Sequence, residues 1–300
     1  MDQLRRMAVF AAVVEHGSMS AAARSLAMST SAVSQQVRQL ERDSGVTLLH
    51  RSTRKLALTA AGEPFYEHCS AMVGAARRAQ QQLAQSREAP SGELRLSAPI
   101  GFARHVAPAL RDVLAAHPAL TLKLLVDDAR IDLIASRIDL AVRFGHLSDS
   151  NWVAKRLCRF EWLLCASPAW LQAHTAPEDP DDLLAHQWLA FAREGNALHL
   201  DLAGPRNESR SLRIEARISS NNQYSIQQMC AAGLGLARLT RVDVAEDLAA
   251  GRLVQVLPAW RCEPLDVWAV TPQRDAQPAK VRVAIAALAD YLSALPGAQA

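Results

Sequence analysis

Residues 1–60 hold three helical patterns in quick succession, and the brevity of the link between the second and third leaves few ways to pack them. The first runs from about residue 3 to 15, with Met7, Phe10 and Val14 on one face, and Gly17 stops it. Ser18 can cap a second helix through Ala21, Ala22 and Leu26, and Ser29 can cap a third that Gly45 ends. Only Ala27 to Ser29 separates the two. Two helices on so tight a turn, with another packed behind them, form a helix-turn-helix. The stretch VTLLHRSTRKLALT follows as two short β-prone runs around a basic tip of Arg51, Ser52, Thr53, Arg54 and Lys55, which predicts a hairpin, or wing.

The third helix, STSAVSQQVRQLER, has two unlike faces. Ala32, Val33, Val37 and Leu40 are apolar, whereas Ser31, Ser34, Gln35 and Arg38 form a stripe at i, i+3, i+4 and i+7. An ordinary exposed face carries Glu and Lys; short hydroxyls, an amide and a guanidinium suit base edges in a DNA major groove. The wing cations Arg51, Arg54 and Lys55 suit the flanking phosphates. Charge supports this reading. Residues 1–88 hold eleven Lys/Arg against seven Asp/Glu, or +4, and the other 212 hold twenty-two against twenty-three, or −1. The alternative is a capped surface helix with incidental polar residues.

No run approaches the ~18 apolar residues of a membrane span. RRMAVFAAVVEHGSMSAAA imitates a secretion signal, but its apolar run from Met7 to Val14 is short and Glu15 and His16 follow directly. A cytoplasmic protein is expected. The five cysteines are scattered without a C-x-x-C, which fits reduced, buried thiols rather than disulfides or a metal site. If Cys158 and Cys165 share one strand, they face opposite sides.

Thr59 can cap a long helix to about Ser86, whose positions Phe65, Cys69, Met72, Ala76, Ala79 and Leu83 recur with heptad spacing. A two-chain coiled coil is expected, the alternative being a helix packed on its own domain. REAPSG, residues 87–92, is a linker. Beyond it, strand patterns alternate with helical ones, through ELRLSA, FARHVAPALRDVLAAH, LTLKLLV and IDLAVRFG, to a closing helix over 278–294. That alternation predicts an α/β body with largely parallel sheet, and its length suits two lobes.

SMSAAARSLAMSTSAVSQQVRQLERDSGVTLLHRSTRKLALTAAG, then RIDLAVRFG, CASPAWL, GLGLARL and GRLVQVLPAW, resemble the LysR-type transcriptional regulators over nearly the whole chain. The resemblance implies an α+β multidomain protein. Residues 1–58 would be a winged helix-turn-helix, 59–88 a dimerising linker helix and 89–92 a hinge. Residues 93–165 with 269–300, and 166–268, would be two lobes of an effector-binding body like a periplasmic binding protein. It implies promoter DNA, a small-molecule effector and an RNA polymerase contact if the protein activates. It also implies a homodimer or homotetramer, and no cofactor. The family often has Gln-Pro where Thr30-Ser31 stands, so the operator cannot be carried over; Leu49 and Ala60 replace its usual Phe and Glu.

In such a body a ligand lies at strand ends and helix N-termini. Ser97, Pro99, Ile100 and Gly101 on one wall, Arg143 at a strand end, and Ser220 and Asn221 opposite are the expected effector contacts. Arg143 favours a carboxylate, against the alternative of a structural ion pair. GLGLA lacks the rest of a dinucleotide fingerprint and reads as a packing turn. His105, His117, His174 and His199 have no metal-ligand spacing and are expected at surfaces or caps, and Trp152, Trp162 and Trp260 in the core. An enzyme or an exported solute-binding protein on the same body are the rival readings. No G-x-S-x-G, H-E-x-x-H or phosphate loop supports the first, and the basic N-terminal piece opposes the second.

Overall fold

A computed structural model describes residues 2–51, 56–128, 132–147, 152–192, 196–272 and 277–299. The chain divides into two compact units, residues 1–85 and 86–300.

In the first unit, α1 (Asp2–Glu15), α2 (Met19–Ser25) and α3 (Thr30–Ser44) form as the caps direct. Ser18 Oγ accepts from Ala21 N and Ser29 Oγ from Ala32 N, both at 3.1 Å, which satisfies donors the first turns leave open. Gly45 closes α3 in the left-handed region at φ 67°. Phe10, Val13, Val33, Val37 and Leu40 are the centre of the core. Strands β1 (Leu49–Arg51) and β2 (Leu56–Leu58) pair antiparallel as the wing. The long helix α4 (Gly62–Glu88) then starts, and Thr59 Oγ1 accepts from Gly62 N at 2.9 Å. Gly62 has to be glycine, since a Cβ there would sit 2.1 Å from the Leu48 carbonyl oxygen.

The expected seam divides. Phe65 packs 5.5 Å from the Phe10 ring, and Cys69 is fully buried in the same core. Cys69 therefore faces its own domain, because α4 supplies the wall that three short helices cannot close alone. Met72 is half-buried, while Ala76, Ala79 and Leu83 are exposed.

The second unit is two-lobed. Its first sheet takes β3 (Gly92–Ala98), β4 (Leu120–Val126), β5 (Leu140–Phe144) and β6 (Val153–Phe160). Helix α5 (Ala103–Ala116) joins β3 to β4, which run parallel. The second sheet takes β7 (Trp162–Ala166) and, after α6 (Pro168–Ala173), β8 (Trp188–Phe191). Strands β9 (Ala197–Ala203) and β10 (Ser209–Glu215) leave it to form a small antiparallel sheet. Strand β11 (Ile218–Ser220), helix α7 (Gln223–Ala231), strand β12 (Leu236–Thr240), helix α8 (Arg241–Ala249) and strand β13 (Val254–Val256) complete this lobe. The chain then adds β14 (Arg261–Cys262) to the small sheet. It returns to the first sheet as β15 (Leu265–Thr271), covers it with α9 (Ala279–Ser293) and ends in β16 (Ala298–Gln299).

Two expectations change. The sheets are mixed rather than largely parallel: β15 runs antiparallel to both β5 and β6, and β12 and β13 run antiparallel to β7. The strands beside each lobe crossing reverse direction because the chain enters them from the other lobe. The first crossing also lies at Glu161, not 165/166, and the return precedes Leu265 rather than following 268. VAKRLCRFEWLLCA has no Gly or Pro to mark that break, and Cys158 and Cys165 sit on different sheets. Gly235 lies at a close approach, where a Cβ would meet the Gln187 carbonyl oxygen at 2.6 Å, as a packing turn requires.

Candidate functional site

On the first unit, α3 turns Val33, Val37 and Leu40 inward and leaves Thr30, Ser31, Gln35 and Arg38 exposed; Ser34 is half-buried. Ser31 Oγ lies 3.0 Å from the capping Ser29 Oγ. Farther along, Glu41 reaches off the helix to the hairpin, where its Oε1 accepts from Leu48 N at 2.9 Å and Leu49 N at 3.1 Å. That carboxylate, which the sequence reading missed, ties the polar helix to the wing. Asp43 is paired with Arg6 and accepts from Gln39, so the acidic end of α3 is neutralised within the domain. Thr53, Arg54, Lys55 and the Arg51 side chain lie outside the described residues.

On the second unit, a cavity of about 830 Å³ opens between the two sheets. Pro99, Gly101 and Arg143 line it. Ser97 is buried beneath Arg143, whose Nη1 donates to Val142 O at 2.9 Å and to Ser97 Oγ at 3.4 Å. Ile100 turns partly outward, and its N–H donates to Asp128 Oδ1 at 3.0 Å. On the opposite wall this segment contributes Gln223, and Ser220 and Asn221 are not among the lining residues. Ser220 Oγ accepts from Asn222 N, and Asn222, one residue beyond the expected pair, caps α7.

Several wall residues were not foreseen. Trp162 faces the cavity instead of the core, Trp152 lines the cavity while packing on the core around Leu133 and Ile138, and Trp260 is buried. Thr240 stands opposite Trp162 in the antiparallel β7/β12 pair, and Arg238, two residues along the same face, stacks its guanidinium carbon 4.8 Å over the Trp162 ring. Burial lowers the Arg238 pKa from its ordinary value. His105 is 6% exposed, not at the surface, and its Nε2 has no hydrogen-bond partner among the described residues; Asp243 Oδ1 lies 3.9 Å away. Only a basic residue inside the apolar run GLGLARL could have signalled Arg238.

Two polar clasps cross between the lobes. Arg104 Nη2 donates to Asp243 Oδ1 at 2.8 Å, and Asn222 Nδ2 donates to Asp128 Oδ2 at 2.7 Å. Among the described residues, no group of three or more His, Cys, Asp or Glu side chains is placed to hold a metal ion, and no helix is long and apolar enough to cross a membrane.

The LysR substrate binding domain matches residues 87–293, and the bacterial regulatory helix-turn-helix of the lysR family matches residues 4–63. The chain belongs to the LysR family. It is 36% identical to the transcriptional activator AaeR of Escherichia coli over 97% of its own length and 94% of that protein's. It is 33% identical to the regulator PtxR of Pseudomonas aeruginosa over 98% and 94%. The full-length structure of the Vibrio cholerae virulence activator AphB superposes with a TM-score of 0.74 at 27% identity, covering 96% of this chain and 99% of that one. This LysR-type regulator therefore binds promoter DNA, responds to a small-molecule effector and assembles into oligomers, and it is not an enzyme.

Proposed function

We propose that Thr30, Ser31, Ser34, Gln35 and Arg38 read the operator from the major groove while Arg51, Thr53, Arg54 and Lys55 hold the backbone. The observation that carries this is the exposed polar stripe of α3, with an apolar stripe buried behind it. Residues 1–58 act as the DNA-binding domain, 59–88 as the linker helix and 89–92 as the hinge. The two lobes meet at Glu161 and again ahead of Leu265. Ala76, Ala79 and Leu83 pair two linker helices into a dimer, and two dimers form the tetramer. The protein works in the cytoplasm, as promoter binding requires, and an activating output would run through RNA polymerase.

The effector binds in the inter-lobe cavity. Its wall carries two guanidiniums, Arg143 and Arg238, which favours a carboxylate. Competition binding with Arg38→Ala tests the reading of α3. The variant should lose roughly 10- to 100-fold on the operator while keeping its affinity for random DNA within about twofold. Equal losses on both would refute it.

A further inference from the structure

Resting on the reading of the cavity as the effector site, we propose that Arg238, stacked on Trp162, makes the direct anion contact. The effector class is then an organic anion with a broad aromatic or apolar body. Arg238 is the under-partnered cation of this wall. Its Nη1 makes one long hydrogen bond, 3.4 Å to the His199 carbonyl, and among the described residues no carboxylate forms an ion pair with it. Asp201 acts on it only at longer range, and its carboxylate is engaged by Ser211 Oγ at 2.6 Å. A half-buried cation with no ion-pair partner among the described residues is costly, and stacking on an indole offsets only part of that cost. An incoming anion supplies what is missing.

Arg143, the cation the sequence singles out, differs. It is fastened to its own sheet through Val142 O and Ser97 Oγ. Three of the cavity's carboxylates are also occupied by protein donors. Asp128 binds Ile100 N and Asn222 Nδ2, Asp132 binds Ile134 N and Ala135 N, and Asp243 binds Arg104 and Thr240. A cationic effector would have to compete with those donors, whereas an anion at Arg238 displaces nothing but the bond to His199. The rings of Phe144, Phe160, Trp152 and Trp162 surround the space and fit a flat apolar body. The unpartnered Nε2 of His105 offers a second hydrogen bond inside the same cavity.

The test uses the full chain and two fluorescent probes of nearly the same shape: 1-anilinonaphthalene-8-sulfonate and its uncharged parent N-phenyl-1-naphthylamine. Arg238→Gln should weaken the sulfonate by on the order of 10- to 100-fold and leave the uncharged probe within about twofold. Retention of the uncharged probe also shows that the variant folds. Arg238→Lys should recover part of the loss, and Arg143→Gln should cost less than about threefold. An unchanged sulfonate affinity in Arg238→Gln, or equal loss of both probes, overturns the assignment of Arg238 while leaving the cavity as a binding site. Failure of both probes to bind the unmodified protein refutes the cavity reading and this proposal together.

Discussion

Replacing Glu41 by alanine should uncouple the wing from the recognition helix. Its Oε1 accepts from two backbone donors, Leu48 N at 2.9 Å and Leu49 N at 3.1 Å, and these leucines are 3% and 2% exposed. A buried donor left unpaired costs about 1–3 kcal/mol. Shared relaxation makes the two less than additive, so opening of the hairpin should become easier by about 2–4 kcal/mol. At tenfold per ~1.4 kcal/mol, the Leu48 and Leu49 amides should exchange roughly 30- to 1000-fold faster. Hydrogen exchange followed by mass spectrometry on peptides spanning residues 46–50 reads this directly. Glu41→Gln keeps an acceptor oxygen and loses only the charge assistance, so its acceleration should stay below about tenfold. Because the wing then no longer holds its place, Glu41→Ala should weaken operator and random DNA together, unlike Arg38→Ala. Unchanged exchange at Leu48 and Leu49 in Glu41→Ala would refute this account of how helix and wing are joined.

Gly62→Ala would drive a methyl to 2.1 Å from the Leu48 carbonyl oxygen, so α4 must move by roughly 1 Å at a cost of about 1–3 kcal/mol; a lower urea midpoint for the N-terminal transition checks it. Leu83 is 73% exposed, so Leu83→Asp should leave the fold within about 0.5 kcal/mol yet weaken dimerisation by at least about tenfold, measured by sedimentation equilibrium. Burial pushes the Cys69 thiol up to about 11 and the Cys158 thiol up to about 12, against about 8.5 in an unfolded chain. The unfolded chain therefore releases these protons first, and stability should hold below about pH 8.5 and fall as pH rises from there towards 11. Urea titrations between pH 7 and 10.5 should show that decline, and a flat profile would contradict the burial of these thiols.

The helical caps and the α3 stripe were legible because they are local, with a hydroxyl and the donors it serves only three residues apart. The seam misled at Cys69 because heptad spacing shows that a stripe is apolar without showing what covers it. The cavity was half legible. Pro99, Gly101 and Arg143 stand at strand ends that the sequence marks, whereas Arg238 meets Trp162 only through the β7/β12 register. His105 likewise comes within 3.9 Å of Asp243 from 138 positions away in the chain, 105 to 243, and no periodicity carries such an approach. The crossing at Glu161 escaped because a change of sheet without a turn residue leaves no mark in composition.

The most direct test of the central claim, that the exposed stripe of α3 reads a particular DNA sequence, is a fluorescence-anisotropy titration. The full-length protein is titrated against DNA from upstream of its own and the neighbouring gene, with random DNA as competitor, at two salt concentrations. One fragment should stay preferred at the higher salt although the absolute affinity falls, since phosphate contacts weaken with salt and base contacts persist. Binding that higher salt erases equally on every fragment, with the effector-loaded protein included, would contradict it.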